Sequence, residues 1–553
     1  MGWFVIGVDF GTESGRAVVV DLRDGHVIGD ASMEYPHAVM DERFLDGSRL
    51  PAEFALHHPQ DYLDVLVTVV PAAMARAGID GAEVVGLGID ATSCTVLPTL
   101  DDGTPLAFVA PFRTNPHAYA KVWKHHAAQP QARHFTAICE EQDPELLSEY
   151  GGVISSEWLV PKALEIFEKD RAVFDAAHRI IEVQDWLVWQ LTGNELRNSG
   201  AAGYKACYRW ERGSYASPEL LEATAKGFSA LMPKLDADLA HPGTRAGYLA
   251  EEWAERLGLH GRVAVPVGNM DAHGAVVAAG LTGPGPMLLV MGTSVCNMLM
   301  GEDKAPVPGI SGAVFSGMLP DLWGYEAGQA GVGDVLNWYV RNMAPHAVHV
   351  EASARGISPH QVLIEQIMTD GSGADRPDLL ALEWINGNRS VLVDADLSGL
   401  LLGLTMGTRA HDIYRTLIEA ACFGQQIIIE TFERHGIPIT EIIACGGLAS
   451  KNPVLMQTLA DVTAREVKVT QIENLSALGA ALHASVAAGS TAGGFDSLAE
   501  AAELGGGVAT IYHPRPEAKP RIDHLMSVYR DLHQHFGVDH STVMHGLKAK
   551  NYL

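Results

Sequence analysis

Asp9, Gly11, Thr12 and Ser14 fall within one short stretch, DFGTES, that follows the apolar run FVIGV and precedes a second, AVVV. A tip between two buried strands presents consecutive backbone N–H groups, and Gly11 lets an oxyanion come close to them. Thr12 and Ser14 add hydroxyl donors. Asp9 cannot meet a phosphate directly, but it can hold Mg2+ through oxygen or water, and the ion then neutralises phosphate charge. The pattern recurs around MGTSVC at 291–296, where Gly292, Thr293 and Ser294 follow PMLLV and precede another apolar run. Together the two tips read as the jaws of a nucleotide clamp. Such turn residues are also common for local hydrogen-bonding reasons, and it is the pairing of two tips that favours phosphate.

A third candidate is Asp271, in VPVGNMDAHGAVVAAG, after a Gly-Asn turn and ahead of a small-residue helical run. A carboxylate there, in a cleft between domains, can take the proton of a hydroxyl that attacks a γ-phosphate. The competing reading is a helix N-cap. His273 reads as a packing or supporting residue. In ACGGLASKNPVLMQTLADV, Gly446 and Gly447 stand between a strand and a helix, where absent side chains leave room for a flat adenine or ribose. Asn452 would bond the base or cap the helix.

These residues need a scaffold of alternating strands and helices, and the chain supplies it: VVGLGID runs into ATSC, and EIIACGG into a helical NPVLMQTLADVTA. The expected class is α/β. Because the strand, Gly-Thr tip, strand unit occurs twice, the chain reads as a duplicated domain, residues 1–280 and 281–553, divided at a Pro/Gly-rich joint. Loops are expected at 243–247 and 369–378, and a linker with one amphipathic helix closes the chain.

At 553 residues the chain exceeds one hydrophobic core. Its net charge of −28 would repel nucleic acid and anionic membranes, so a small-molecule partner is favoured. The six cysteines show no CxxC pair, and neither a membrane-spanning run nor a leader is apparent, which points to a cytoplasmic protein with reduced thiols. A P-loop is excluded, since the dipeptide Gly-Lys is absent.

Taken together, DFGTESGR, GNMDAHGA, MGTSVC, GLLLGLTMG with DIYRTLIEAACFG, and GGLASKNPVLMQTLAD resemble the FGGY carbohydrate kinases nearly end to end. The resemblance implies two actin-like or hexokinase-like (ribonuclease H-like) ATPase domains around a cleft, with ATP and Mg2+ bound there. It implies Asp271 as general base, Asp9 as organiser of Mg2+, Gly11, Thr12, Gly292 and Thr293 at the phosphates, and Gly446, Gly447 and Asn452 at the adenosine. GIDATSCTVLP, NPHAYAKVWKHHAA, GGVISSEWLVPK, AGYKA and GYEAGQ narrow the expected acceptor to a ketopentose, L-ribulose first, with D-ribulose, xylulose and ribitol as alternatives. Lys205 and Glu326, polar islands among small and aromatic residues, are then candidates for gripping the sugar, since a charged donor and a charged acceptor fix its orientation. Solvated surface residues are the competing reading for both. Ser93, with Cys94, would border the same pocket. A homodimer stays open as the assembly, and a non-catalytic actin-like module is the alternative from another class. The family's tetrapeptide Phe-Gly-Gly-Tyr is absent, Thr416 stands where its C-terminal signature prefers Ala or Ser, and the Trp expected shortly after Lys162 is missing.

Overall fold

Phe4–Phe10 (β1) and Ser14–Asp21 (β2) pair antiparallel as the opening hairpin, and β1 is buried at every position, Asp9 included. The computed structural model describes residues 3–370, 378–470, 472 and 474–548. Val27–Glu34 (β3) continues the meander beside β2, and Val84–Ala91 (β4) lies parallel to β1 on its other side. Arg245–Tyr248 (β5) and Ala264–Pro266 (β6) extend the sheet in the order β5-β6-β4-β1-β2-β3, and Asn269–Met270 (β7) pairs with the end of β4. The helices that matter to the site in this half are Pro59–Ala77 (α1), Leu159–Lys169 (α2), Ser199–Ala206 (α3) and Asp271–Ala278 (α4). A small sheet of residues 56–57, 120–121, 96–99 and 179–182, in that order, forms beyond the tip of β1 and β2.

The second half repeats the plan. Pro286–Met291 (β8), Val295–Gly301 (β9), Gly312–Phe315 (β10) and Trp323–Gln329 (β11) are joined by Glu441–Cys445 (β12), Val467–Thr470 (β13) and Val508–Tyr512 (β14), in the order β10-β11-β9-β8-β12-β13-β14. In both sheets the first strand has an antiparallel meander on one side. On its other side come two parallel strands and an antiparallel edge. The helices of this half include Ala410–Arg434 (α5), Gly447–Lys451 (α6), Pro453–Thr463 (α7), Leu475–Ala488 (α8), Lys519–Gln534 (α9) and Ser541–Lys548 (α10). The tail thus carries two helices joined by a π-turn segment at 535–539 rather than the single expected helix. Of the loop expected at 369–378, residues 371–377 lie outside the described residues, and β5 begins inside the one expected at 243–247.

The chain does not pack strictly by halves. Helix α8 lies on the first sheet, and the glycines of that sheet admit it: a Cβ on Gly7 would meet the Ala477 carbonyl oxygen at 1.8 Å, and one on Gly88 the Ala480 oxygen at 1.9 Å. With α4 it fills the space between the two sheets, so that Val5 and Val18 share one core with Leu288 and Met298. Gly88→Ala therefore forces backbone against backbone in a close-packed layer, and we expect a loss of about 3 kcal/mol in urea unfolding. Stability within 0.5 kcal/mol of wild type, on the scale of an ordinary surface change, would mean that the layer gives way.

Candidate active site

The first tip is held from behind. Gly11 N–H donates to the Ser14 carbonyl at 3.0 Å and closes the turn, and the Tyr35 hydroxyl donates to the Gly11 carbonyl at 2.8 Å. His57 Nε2 lies 2.9 Å from the Thr12 carbonyl and its Nδ1 2.7 Å from the Tyr62 hydroxyl; burial drives this imidazole down to about 4. It is neutral at pH 7, so Nε2 carries the hydrogen and donates to Thr12. Trp123 Nε1 donates to Thr12 Oγ1 at 3.0 Å, which leaves the threonine's own hydrogen free to be donated outward. Glu13, within the turn, directs its carboxylate to Lys124 at 3.1 Å. The second tip closes in the same way, Gly292 N–H to the Ser294 carbonyl at 2.9 Å. Neither Gly11 nor Gly292 has positive φ. Their glycines thus serve close approach, not a left-handed turn. The Lys124 ammonium of the first half bears electrostatically on Asp334 of the second, whose amide bonds the Thr293 carbonyl.

Three carboxylates converge beside the first tip. Asp9 and Asp90 occupy partnered positions on the parallel strands β1 and β4, and Asp271 opens α4. Burial raises Asp9 to about 6 against the pull of Arg16, whose Nε lies 3.5 Å away and whose Nη1 donates to Asn474 Oδ1 at 3.0 Å. Burial first, and then the charge of Asp9, raise Asp271 to about 7. Asp90 is pushed well above the usual carboxylate range by burial, Asp9 and Asp271; it is fully inaccessible, neither oxygen has a partner among the described residues, and a Cβ on Gly274 would lie 2.0 Å from its Oδ2. Asp271 is not the cap of its helix. Met270 holds that position, and the only hydrogen bond to the Asp271 carboxyl among the described residues comes from the Ala272 amide at 2.7 Å. Asp9 Oδ1 is buried without a partner, and carboxylate oxygen is the ligand type Mg2+ takes, so the donor set fits that ion.

Lys205 and Glu326, 121 residues apart, meet close enough to Asp271 for both charges to act on it. Lys205 Nζ donates to both Glu326 oxygens at 2.7 and 2.9 Å, and His273 Nε2 lies 2.9 Å from Oε2. Burial opposes both charges, but the pairing outweighs it: the carboxyl is held well below the usual range and the ammonium well above. His273, read from sequence as supporting, does support, since its ring also stands edge-on to Tyr204. Ser93 is partly exposed at the start of the turn after β4, and Cys94 beside it is buried with φ of 60°. From the second half, Arg389 reaches Glu157 of the first at 3.5 Å.

A cavity of about 700 Å³ opens on the second tip and is bordered by Gly292, Thr293, Gly447 and Asn452, with Gln361 and Tyr414 opposite. Asn452 caps α7 through Oδ1, which accepts from the Leu455 amide at 3.0 Å, and its NH2 group donates to no other residue among those described. Gly447 has open space where a side chain would be. Gly446 is turned the other way: its φ is 92°, and a Cβ would lie 2.5 Å from the Met291 carbonyl oxygen. It makes the strand-to-helix turn, and Gly447 borders the cavity.

Residues 4–278 match the model of the FGGY family of carbohydrate kinases, N-terminal domain, and residues 287–488 that of the C-terminal domain. The chain belongs to the FGGY family of carbohydrate kinases. This FGGY kinase is similar to proteins named ribulokinase from Halalkalibacterium halodurans, 44% identical over 99% of this chain and 97% of that one, and from Mycolicibacterium smegmatis, 44% identical over 97% and 94%. Among solved structures, the xylulose kinase of Rhodospirillum rubrum superposes with a TM-score of 0.76 at 20% identity, covering 97% of this chain and 100% of that one. Gluconate kinase from Lactobacillus acidophilus reaches 0.78 at 16%, covering 98% and 99%. At those identities the likeness is one of fold, and it agrees with the duplicated actin-like architecture expected of the family. No helix among the described residues is long and apolar enough to cross a membrane.

Two residues went unnoticed in the sequence, Asp90 of the carboxylate cluster and Arg389, which bridges the two halves. Asp90 had a signal: LGID and IGVD end two buried apolar runs on the same acid. Arg389 had none, because its partner lies in the other half.

Proposed function

We propose that this FGGY kinase transfers the γ-phosphoryl group of ATP to O5 of L-ribulose, giving L-ribulose 5-phosphate. The observation that carries the reading is Asp271, raised to about 7, between the phosphate tip at Asp9 and the buried Lys205–Glu326 pair. The relatives named ribulokinase, at 44% identity over nearly the whole chain, support the choice of sugar. In this reading ATP lies with its base in the cavity beside Gly447 and Asn452 and its phosphates against Gly11, Thr12, Gly292 and Thr293. Mg2+ held by Asp9 neutralises phosphate charge when it is bound. Lys205 and Glu326 orient the sugar hydroxyls and carbonyl, with Ser93 on the opposite wall. Asp271 accepts the proton of O5 as that oxygen attacks. Phosphoryl transfer asks mainly for positioning and charge stabilisation, and these groups supply both. The expected setting is cytoplasmic, where the six free thiols stay reduced. The boundary near residue 280 and a homodimer belong to the same proposal.

A coupled ADP-release assay over L-ribulose, D-ribulose, D- and L-xylulose and ribitol tests it. The expected result is the highest kcat/KM on L-ribulose. A higher value on another pentulose or pentitol would reassign the substrate, and no sugar-stimulated ADP on any of them would end the kinase reading.

A further inference from the structure

Lys162, on α2, is fully buried in a part of the molecule that the chemistry above does not use. Its three ammonium hydrogens all go to backbone oxygens: the carbonyls of Cys94 at 2.5 Å, Val122 at 2.8 Å and Lys121 at 3.2 Å. Among the described residues no carboxylate forms an ion pair with it. Taking a charge out of water to bond three carbonyls is costly unless their placement matters. Two of the three stand next to residues that face the site. Cys94 follows Ser93, and its left-handed backbone, unusual for a residue with a side chain, is the kind of local strain that surrounding contacts must hold. Val122 precedes Trp123, whose indole N–H donates to Thr12 Oγ1 of the phosphate tip at 3.0 Å. The strand that follows Cys94 and the strand that precedes Val122 pair at Val96 and Lys121, so the two carbonyls flank one short ladder.

We propose that Lys162 is a positioning residue that locks the Ser93 wall of the sugar pocket and, through Trp123, the Thr12 tip into one rigid unit. The proposal rests on the sugar-kinase reading above. One ammonium thereby sets the distance between the acceptor sugar and the phosphate it attacks, and displacements of about 1 Å cost such reactions roughly a hundredfold. Burial leaves the group near 8, so it keeps its third hydrogen at neutral pH.

The test is steady-state kinetics on the full chain with L-ribulose and ATP, wild type first. In Lys162→Met, of similar length but without donors, the sugar KM is expected to rise about tenfold and kcat to fall about tenfold. Trp123→Phe, which removes only the indole N–H, is expected to lower kcat by about the same factor while the sugar KM stays within about twofold. In the double variant the kcat losses should combine to much less than their product, because both run through Thr12. A merely structural lysine would change the amount of active protein and leave both KM and kcat per active site at wild type. That result in folded Lys162→Met, or fully multiplicative losses in the double variant, overturns the proposal. If the Met variant does not fold, Lys162→Gln, which keeps two donors, should show a smaller rise in sugar KM, and a wild-type KM there overturns it equally. If neither folds, full activity in Trp123→Phe does so. An inactive wild type would instead remove the sugar-kinase reading on which the proposal stands.

Discussion

Asp271→Asn should bind ATP and L-ribulose with near-native affinity and lose roughly a thousandfold in kcat, within the range expected for removing a positioned general base. The substitution is close to isosteric. Asn is as good as Asp at a helix start, so a residue there only to cap α4 would tolerate it. The structure already argues against capping, because Met270 holds the cap position and the Asp271 carboxyl takes only the Ala272 amide. A pH profile gives the same prediction a second readout. Burial and the neighbouring Asp9 lift this carboxyl from 3.8 to about 7. Below that pH it is protonated and cannot accept a proton; above it the base is ready. The wild-type kcat/KM for the sugar should therefore climb as pH rises through about 7 and flatten beyond. Near-native kcat in the variant, or a profile flat from pH 5 to 9, would remove Asp271 from the chemistry.

Lys205→Ala should raise the L-ribulose KM by roughly ten- to a hundredfold, the loss of one hydrogen bond to a charged group, and move the ATP KM by less than about threefold. It should also cost stability. The variant leaves the Glu326 carboxylate buried with His273 as its remaining hydrogen-bond partner among the described residues, and unpairing such a charge typically costs about 3–5 kcal/mol. The two effects separate because saturating sugar recovers turnover, while the melting temperature measured without sugar stays below that of the wild type. Equal rises in both KM values would place the pair outside the sugar pocket.

What could be read in advance divides along physical lines. The two tips were legible because a Gly-Thr turn between apolar runs is a local pattern, and local patterns survive folding. Asp271 was legible for the same reason, a lone acid at the start of a small-residue helix. Contacts that join distant positions were not. Lys205 and Glu326 each stood out only as a polar residue in apolar company, and their bond appears only once β11 and α3 are brought together. Gly7 and Gly88 look like ordinary strand glycines until α8 is laid across them, and Gly446 and Gly447, adjacent in sequence, turn out to serve opposite sides of one turn. The second tail helix, STVMHGLK, was missed because it is only eight residues long, too short for Val543, Met544 and Leu547 to stand out as a helical period.

The seating of α8 also has a kinetic side. The glycine-lined face of the first sheet is assembled from residues that leave the ribosome early, while the helix that covers it is synthesised several hundred residues later. At translation speeds of about 5–20 residues per second, that face stays uncovered for tens of seconds, with bare backbone where a neighbour belongs. During that interval the nascent protein is at its most vulnerable to sticking to other chains, and its dependence on holding factors should be greatest before Ala488 emerges.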